Sequence, residues 1–220
     1  MHNTSRLAVL IAATCLPATA SELGILIDKQ FSQPVLYSDL HTTAFRTNGF
    51  AVRGAFTWFD LKGVELGMTA TYHPSAKGNT DLLVGSNSLW LGTPKIRTKY
   101  AAVGFQANLK DILDLQLGIE ARQETVSMDD GPLIVSSIVP PQTLFLRAEP
   151  GRTTFVRPWA TVGVGISTPS PVITPFIRFE FAYALKTFSE LSPYQNANGD
   201  DFRRRLAPTY QVALYGGIRF

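Results

Sequence analysis

Apolar and polar residues alternate with a period of two through most of this chain, the signature of strands whose two faces meet different surroundings. Eight segments carry the pattern: Glu22–Gln30, Phe50–Phe59, Gly63–Tyr72, Lys99–Ala107, Ile112–Glu124, Thr154–Ile166, Ile173–Lys186 and Thr209–Phe220. In the fifth, Leu113, Leu115, Leu117, Ile119 and Ala121 alternate with Asp114, Gln116, Gly118, Glu120 and Arg122. The seventh sets Ile177, Phe179, Phe181, Tyr183 and Leu185 against Arg178, Glu180, Ala182 and Lys186, and the third sets Val64, Leu66, Met68, Ala70 and Tyr72 against Glu65, Gly67, Thr69 and Thr71. In a soluble sandwich the bulky apolar row is the inner one and the outer row is polar. Here the polar row mixes Gly, Ala and Thr with charges, which suits the cramped lumen of a small barrel, and the continuous bulky row suits lipid.

The connections alternate strictly between short and long. Residues 60–62, 108–111 and 167–172 are short, whereas 31–49, 73–98, 125–153 and 187–208 are long. Most segments approach the ~9–11 residues that a tilted strand needs to cross the hydrocarbon layer. These features predict an all-β fold: an eight-stranded antiparallel transmembrane β-barrel, with short periplasmic turns and long extracellular loops. An even strand number closes the sheet and removes unpaired edges from lipid. Aromatic residues at the ends of the lipid row form two expected interfacial girdles, Phe50, Tyr72 and Tyr210 outside and Trp58 and Phe220 inside.

Composition sharpens the compartment. The chain is 45% hydrophobic with 17% charged residues. Its start reads as a signal peptide over residues 1–20: Arg6 supplies the positive region, Leu7 to Leu16 the apolar core, and Ala18-Thr19-Ala20 the cleavage site. The mature chain, residues 21–220, is then expected to begin at Ser21 and to form one barrel domain. The core of ~10 residues is too short for a span needing ~20, and Thr14 before Cys15 does not fit a lipoprotein site. Cleavage removes the only cysteine, and with it any disulfide or thiol chemistry. Without Arg6, 19 basic residues face 17 acidic ones, a balance that excludes the concentrated basic field of a nucleic-acid binder.

With the closing stretch "YGGIRF" added to these features, the chain resembles the small outer-membrane β-barrels of the OmpA/OmpX-like superfamily. The resemblance covers the whole mature chain and rests on pattern rather than on a diagnostic motif. It implies bacterial outer-membrane placement, lipid and lipopolysaccharide as surroundings, and recognition of the terminal strand and Phe220 by the outer-membrane assembly machinery. The periplasmic peptidoglycan-binding domain that some members carry is not expected here, since the chain ends with the barrel segments. Activities in that superfamily run from anchors and adhesins to narrow channels and lipid-modifying enzymes, so fold leaves function open.

Candidate chemistry lies mainly on the inward row. Glu22, Asp28, Glu65, Asp114, Glu120 and Glu180 face Arg53, Arg122, Arg157, Arg178, Lys186 and Arg219. A lumen stitched by ion pairs is the first expectation, because an unpaired buried charge is costly; a polar pathway for a small solute is the alternative. Arg219 and Glu22 are expected to pair at the periplasmic end. Arg203, Arg204 and Arg205 precede the last strand at the outer rim, where they suit either lipopolysaccharide phosphates or plain solvent.

"YHPS" (72–75) is the one place where His and Ser lie close together. It is similar to the His-x-Ser motif of outer-membrane lipid A deacylases, with His73 as base and Ser75 as nucleophile. That family has Arg and Asn where this chain has Tyr72 and Ala76, and the plainer expectation is a loop histidine beside a turn. His41 reads as a surface loop residue. "NANGDD" (196–201) lacks the following Glu of a calcium loop, and "GVG" (163–165) lacks the strand-to-helix turn of a nucleotide site. No cofactor and no metal is called for. "DDGPLIVSSIVPPQ" (129–142) is apolar for an external loop and suits a contact surface or a strand extension. The sequence thus points to a monomeric, non-enzymatic barrel with a structural or surface-interaction role. A narrow channel and a lipid-modifying enzyme remain the alternatives.

Overall fold

A residue's parity along a strand decides which face it occupies, and here parity carries bulky apolar groups outward and polar groups inward. The structure is a computed structural model that describes residues 20–37, 40–61, 63–84, 87–110, 113–129, 132–134, 146–148, 151–168, 170, 172–188 and 199–220. In chain order the strands are β1 (Ala20–Phe31), β2 (Leu36–Tyr37), β3 (Leu40–Thr42), β4 (Arg46–Leu61), β5 (Val64–Asn79), β6 (Leu82–Val84) and β7 (Leu89–Gly92). They continue with β8 (Lys95–Lys110), β9 (Leu113–Asp129), β10 (Pro132–Ile134), β11 (Leu146–Ala148), β12 (Gly151–Ser167), β13 (Thr174–Ala184) and β14 (Tyr210–Arg219). A short helix, α1 (Gly199–Arg205), precedes β14.

Eight of these strands close into an antiparallel barrel in the order β1-β14-β13-β12-β9-β8-β5-β4, and β4 returns to β1. Each sequence-predicted segment lies on one barrel strand. Closure joins the two ends of the barrel: Ser21 N–H donates to Phe220 O at 2.8 Å, and Phe220 N–H to Ser21 O at 3.0 Å. The signal-peptide residues, including Arg6, Cys15 and Ala18, lie outside the described residues.

The outer surface is apolar around its circumference. Ile25 and Ile27 on β1, Val52 on β4, Phe105 on β8, Leu117 and Ile119 on β9, Val164 on β12, Phe179 on β13 and Leu214 on β14 are exposed. A belt of this size would drive association in water, so its solvent is hydrocarbon. Phe50, Tyr72 and Phe220 are exposed on that surface. Two of the expected girdle residues pack more closely: Tyr210 stacks on Phe31 with ring centroids 4.6 Å apart, and Trp58 lies edge-on to Phe56 and Phe105.

The two ends differ. At one end the connections are tight. Between β4 and β5 the chain reverses at Gly63, whose φ of +97° favours glycine, with its N–H bonded to Asp60 Oδ1. At the other end most strands run past the segments read from the alternation: β5 reaches Asn79, β9 reaches Asp129, and β4, β8 and β12 begin at Arg46, Lys95 and Gly151. Beyond the membrane the outer face no longer has to be apolar, so the alternation that marks a strand in the sequence fades there. The described parts of the long connections include further strands. β2, β3, β6 and β7 from the first two form a separate four-stranded sheet. β9 ends at Asp129, and Pro132–Ile134 pairs with Leu146–Ala148 in a separate two-stranded sheet, so this described part of the apolar 129–142 stretch is a small sheet of its own rather than an extension of a barrel strand.

One irregularity ends the sequence reading of β5 early. His73 pairs with Tyr100 and Ala76 with Thr98, so β5 carries one extra residue at Pro74–Ser75. This bulge reverses parity and ends the clean alternation at Tyr72. Proline is tolerated there because the ladder is already interrupted.

Candidate functional site

Inward positions fill the lumen from end to end. Seven carboxylates (Glu22, Asp28, Glu65, Asp114, Glu120, Glu124 and Glu180) and five arginines (Arg53, Arg122, Arg157, Arg178 and Arg219) are buried there with His73. An eight-stranded barrel has room for side chains and little else.

At the tight-turn end, β1 and β14 place Glu22 opposite Arg219. Arg219 Nε–H donates to Glu22 Oε1 at 2.9 Å, and its Nη2 reaches Asp114 Oδ2 at 3.0 Å. Arg178, from β13, donates to Asp114 Oδ2 and to Gln116 Oε1, each at 2.8 Å. Its nearest oxygens on Glu22 and Glu180 lie at 3.5 and 3.6 Å. Gly163 makes room for this arginine, since a Cβ there would meet Arg178 Cδ at 2.6 Å. The first glycine of "GVG" is thus clearance for a guanidinium stem, and the second lets the β13 backbone come close. One step along the lumen, Arg53 donates to Glu180 Oε2 at 2.6 Å and to Thr71 Oγ1 at 2.9 Å. Glu65 lies near Thr57, 3.4 Å away.

The upper lumen is aromatic as well as charged. Arg122 bonds Glu120 and lies between the rings of Trp159 and Tyr100, 4.0 and 4.4 Å from their centroids. His73 stacks on the far side of Tyr100, 4.9 Å between centroids. Its Nε2–H donates to Asp28 Oδ1 at 3.0 Å, and Asp28 also accepts from Gln30 (2.9 Å) and Gln211. Above them Glu124 accepts from Arg157 Nε (3.1 Å) and Nη2 (2.5 Å) and from Trp159 Nε1 (2.5 Å). Arg157 also donates to the carbonyls of Pro208 (2.7 Å) and Lys186 (3.3 Å).

The mouth above this network is apolar. Val35, Phe45, Leu82, Ile96, Val126, Met128, Phe202, Leu206 and Ala207 form one buried cluster contributed by loops, extended strands and α1. The three consecutive arginines of α1 separate. Arg203 turns back to β12, donating to Thr153 Oγ1 at 2.9 Å and to Asp200 Oδ1 at 2.8 Å. The same Thr153 and Arg203 bonds, in that order, hold the Asp200 carboxyl below its usual range. Arg204 and Arg205 line a cavity at the rim. Gly199 and Asp200 belong to this helix, which is not a calcium loop; residues 196–198 lie outside the described residues.

Asp28, Arg53, Glu65, Asp114, Glu120, Arg122, Arg157, Arg178 and Glu180 all face the lumen as the alternation implied. Two expectations fail. Lys186 is exposed beyond the end of β13, because the strand stops at Ala184 and only the lysine's backbone carbonyl serves the network. His73 is a fully buried lumen residue rather than a loop residue, and the bulge sends Ser75 to the exposed side, so no His–Ser pair assembles. His41 lies on β3 of the outer sheet. The alternation also missed Glu124, Trp159, Tyr100 and Gln211. Glu124 shares the parity of Glu120 and Arg122, and Trp159 that of Arg157, so parity alone placed both inward; assigning bulky side chains to lipid obscured the aromatic residues. Among the described residues no group of His, Cys, Asp or Glu is arranged to hold a metal ion.

A closed ladder, an apolar exterior and an ion-paired interior decide the class. The chain is a β-barrel of the outer-membrane kind. No protein-family model and no curated protein matches it. Solved structures similar in fold include Ail, the attachment invasion locus protein of Yersinia pestis, at 10% identity and TM-score 0.45 over 93% of this chain and 100% of that one. Ail in complex with the heparin analogue sucrose octasulfate aligns at 11% identity and TM-score 0.45 over 91% and 98%. The outer membrane protease OmpT of Escherichia coli aligns at 9% identity and TM-score 0.45 over 94% and 99%. At that level the likeness concerns the barrel alone. Barrel architecture by itself does not settle whether this protein is an enzyme.

Proposed function

We propose that the protein is a closed, non-conducting and non-enzymatic outer-membrane barrel with a structural and surface-interaction role. One observation carries this reading: the lumen is filled by paired charges and sealed at its loop end by the apolar cluster around Phe45, Ile96, Phe202 and Leu206. A hydrated solute meets buried guanidinium–carboxylate pairs and an apolar seal. The tight turns face the periplasm and the long loops face outward, where lipopolysaccharide surrounds the barrel. On the outer sheet, Leu89 and Trp90 of edge strand β7 are exposed, which supports a surface that meets other molecules. The protein acts as a monomer, and the assembly machinery reads the strand that ends at Phe220. The test is planar-bilayer recording of the refolded full-length protein. Silence is expected; reproducible discrete conductance steps refute the closed barrel and favour the narrow channel.

A further inference from the structure

We infer that the outward basic cluster of Lys77, Arg97 and Lys99, at the loop-side edge of the apolar belt, is a docking site for a phosphate-bearing lipid of the outer leaflet. This deepens the surface role proposed above and rests on its placement of the long loops outside.

Strand β8 sets the level of the site. Its outward row is apolar from Leu109 to Ala101, with Phe105 and Val103 exposed, and basic from Lys99 to Lys95. From Leu109 to Lys99 the strand advances ten residues, about 33 Å along its axis. At a tilt of about 40° this is a height of about 25 Å, and the apolar band of such a barrel is about 25 Å tall. Lys99 therefore meets the headgroup plane, and Arg97 lies one outward position beyond it.

The bulge in β5 completes the cluster. Thr69, Thr71 and His73 face the lumen, and without the extra residue at Pro74–Ser75 Lys77 would follow them inward. With it, Lys77 is exposed on the outer surface and stands directly opposite Arg97. Opposed residues bring their Cβ atoms to about 4.5–5.5 Å, and like charges so placed repel. An anion between them relieves that repulsion, and a phosphate accepts from an ammonium and a guanidinium at once. Asp129 of β9 takes one Arg97 N–H at 2.5 Å, in a pair that is itself half exposed. A guanidinium carries five donors, so Arg97 serves both.

The surface on the membrane side of the cations selects a lipid over a soluble anion. Tyr72 pairs with Ala101, and Tyr72, Val103 and Phe105 are exposed there. They continue the hydrocarbon-facing belt, so acyl chains lie against them while the phosphate meets the cations. Lysine stems run along such a surface and keep the charge at its polar edge. The arrangement is one-sided. Across the barrel, the outward ends of β13 and β14 pair Tyr183 with Tyr210, and Tyr210 stacks on Phe31.

Native mass spectrometry of the full-length protein, refolded in zwitterionic detergent, reads bound lipid directly. The probes are bis-phosphorylated lipid A and its dephosphorylated form in mixed micelles, with inorganic phosphate as competitor. The protein is expected to retain lipid A and to retain the dephosphorylated form at least about tenfold less, with retention falling as salt rises. Lys77→Gln/Arg97→Gln/Lys99→Gln is expected to weaken retention at least about tenfold, whereas Lys186→Gln, across the barrel, leaves it unchanged. Heat-dependent gel mobility confirms that each variant has folded. Should the triple variant fail that check, each single variant is expected to weaken retention about threefold or more. No retention, equal retention of the two lipid forms, retention unchanged in the folded variants, or an equal loss in Lys186→Gln overturns the inference. Displacement by equimolar inorganic phosphate also overturns it, by making the cluster a site for a soluble anion. Conductance steps from a protein that still retains lipid A refute the closed barrel alone; a silent protein that retains none refutes the site alone.

Discussion

Replacing Arg157 with Met should be among the most damaging single changes in the lumen, and the geometry sets its size. The side chain is buried and makes two bonds to Glu124 and one each to the carbonyls of Pro208 and Lys186. After the change, Glu124 keeps a single hydrogen-bond donor, Trp159 Nε1–H at 2.5 Å, and the Arg122 guanidinium, which is committed to Glu120, remains as its nearby charge. Removing one partner of a buried ion pair costs about 3–5 kcal/mol, because the other charge stays behind without compensation. Arg178→Met supplies the contrast. Its carboxylates keep other arginines: Asp114 and Glu22 retain Arg219, and Glu180 retains Arg53. Its loss should therefore cost only about 1–3 kcal/mol, the scale of unsatisfied hydrogen bonds. A second change at the first site tests the cause. In Arg157→Met/Glu124→Gln the stranded charge is gone while an acceptor for Trp159 remains, so at least about 2 kcal/mol of the loss should return. The assay is denaturant unfolding of the refolded barrel, followed by tryptophan fluorescence; Trp159 lies 5.3 Å from the Arg157 guanidinium and reports on this layer. Arg157→Met costing under about 1 kcal/mol, Arg178→Met costing more than Arg157→Met, or a double variant no better than the single refutes the reasoning.

Other expectations follow from the same geometry. Phe220→Asp should abolish outer-membrane insertion in cells yet refold in detergent with a penalty of only ~0–1 kcal/mol, because the ring is exposed and the backbone bonds to Ser21 remain; normal insertion in cells makes Phe220 a girdle residue only. His73→Ala should lower stability, since Asp28 loses a donor, and leave membrane lipid composition unchanged by mass spectrometry; an altered acylation pattern revives the enzyme reading. Asp200, held below its usual range by Thr153 and Arg203, contributes stability above its unfolded pKa of about 4 that is lost as pH falls through the lower folded value. Hydrogen exchange of α1 should accordingly quicken in acid, and Asp200→Asn should remove that pH dependence.

By itself the sequence determined the barrel, because the information needed is local. Parity along a strand assigns faces, so Leu113 to Ala121 and Ile177 to Leu185 could be sent to lipid, and Asp114, Glu120, Arg122, Arg178 and Glu180 to the lumen, without knowing any partner. The Glu22–Arg219 pair was also legible, since it follows from closing the first strand on the last. Tertiary structure decided what depends on register and reach across the lumen. One extra residue at Pro74–Ser75 turned Ser75 outward and Ala76 inward, an event that local periodicity cannot count because a bulge is defined by the opposing strand, whereas His73, just before it, keeps the inward parity of Thr69 and Thr71. Partner choice was equally hidden: Arg178 lies two residues from Glu180 but makes its shortest bonds to Asp114 and Gln116 of β9, reaching over the glycines of the intervening β12. Arg203, Arg204 and Arg205 are adjacent in the chain, yet a helix turns successive residues by about 100°, so Arg203 went to Thr153 while Arg204 and Arg205 joined Arg157 at one cavity. The apolar seal of the mouth drew its members from distant loops and strands, and only the closed sheet brings those together.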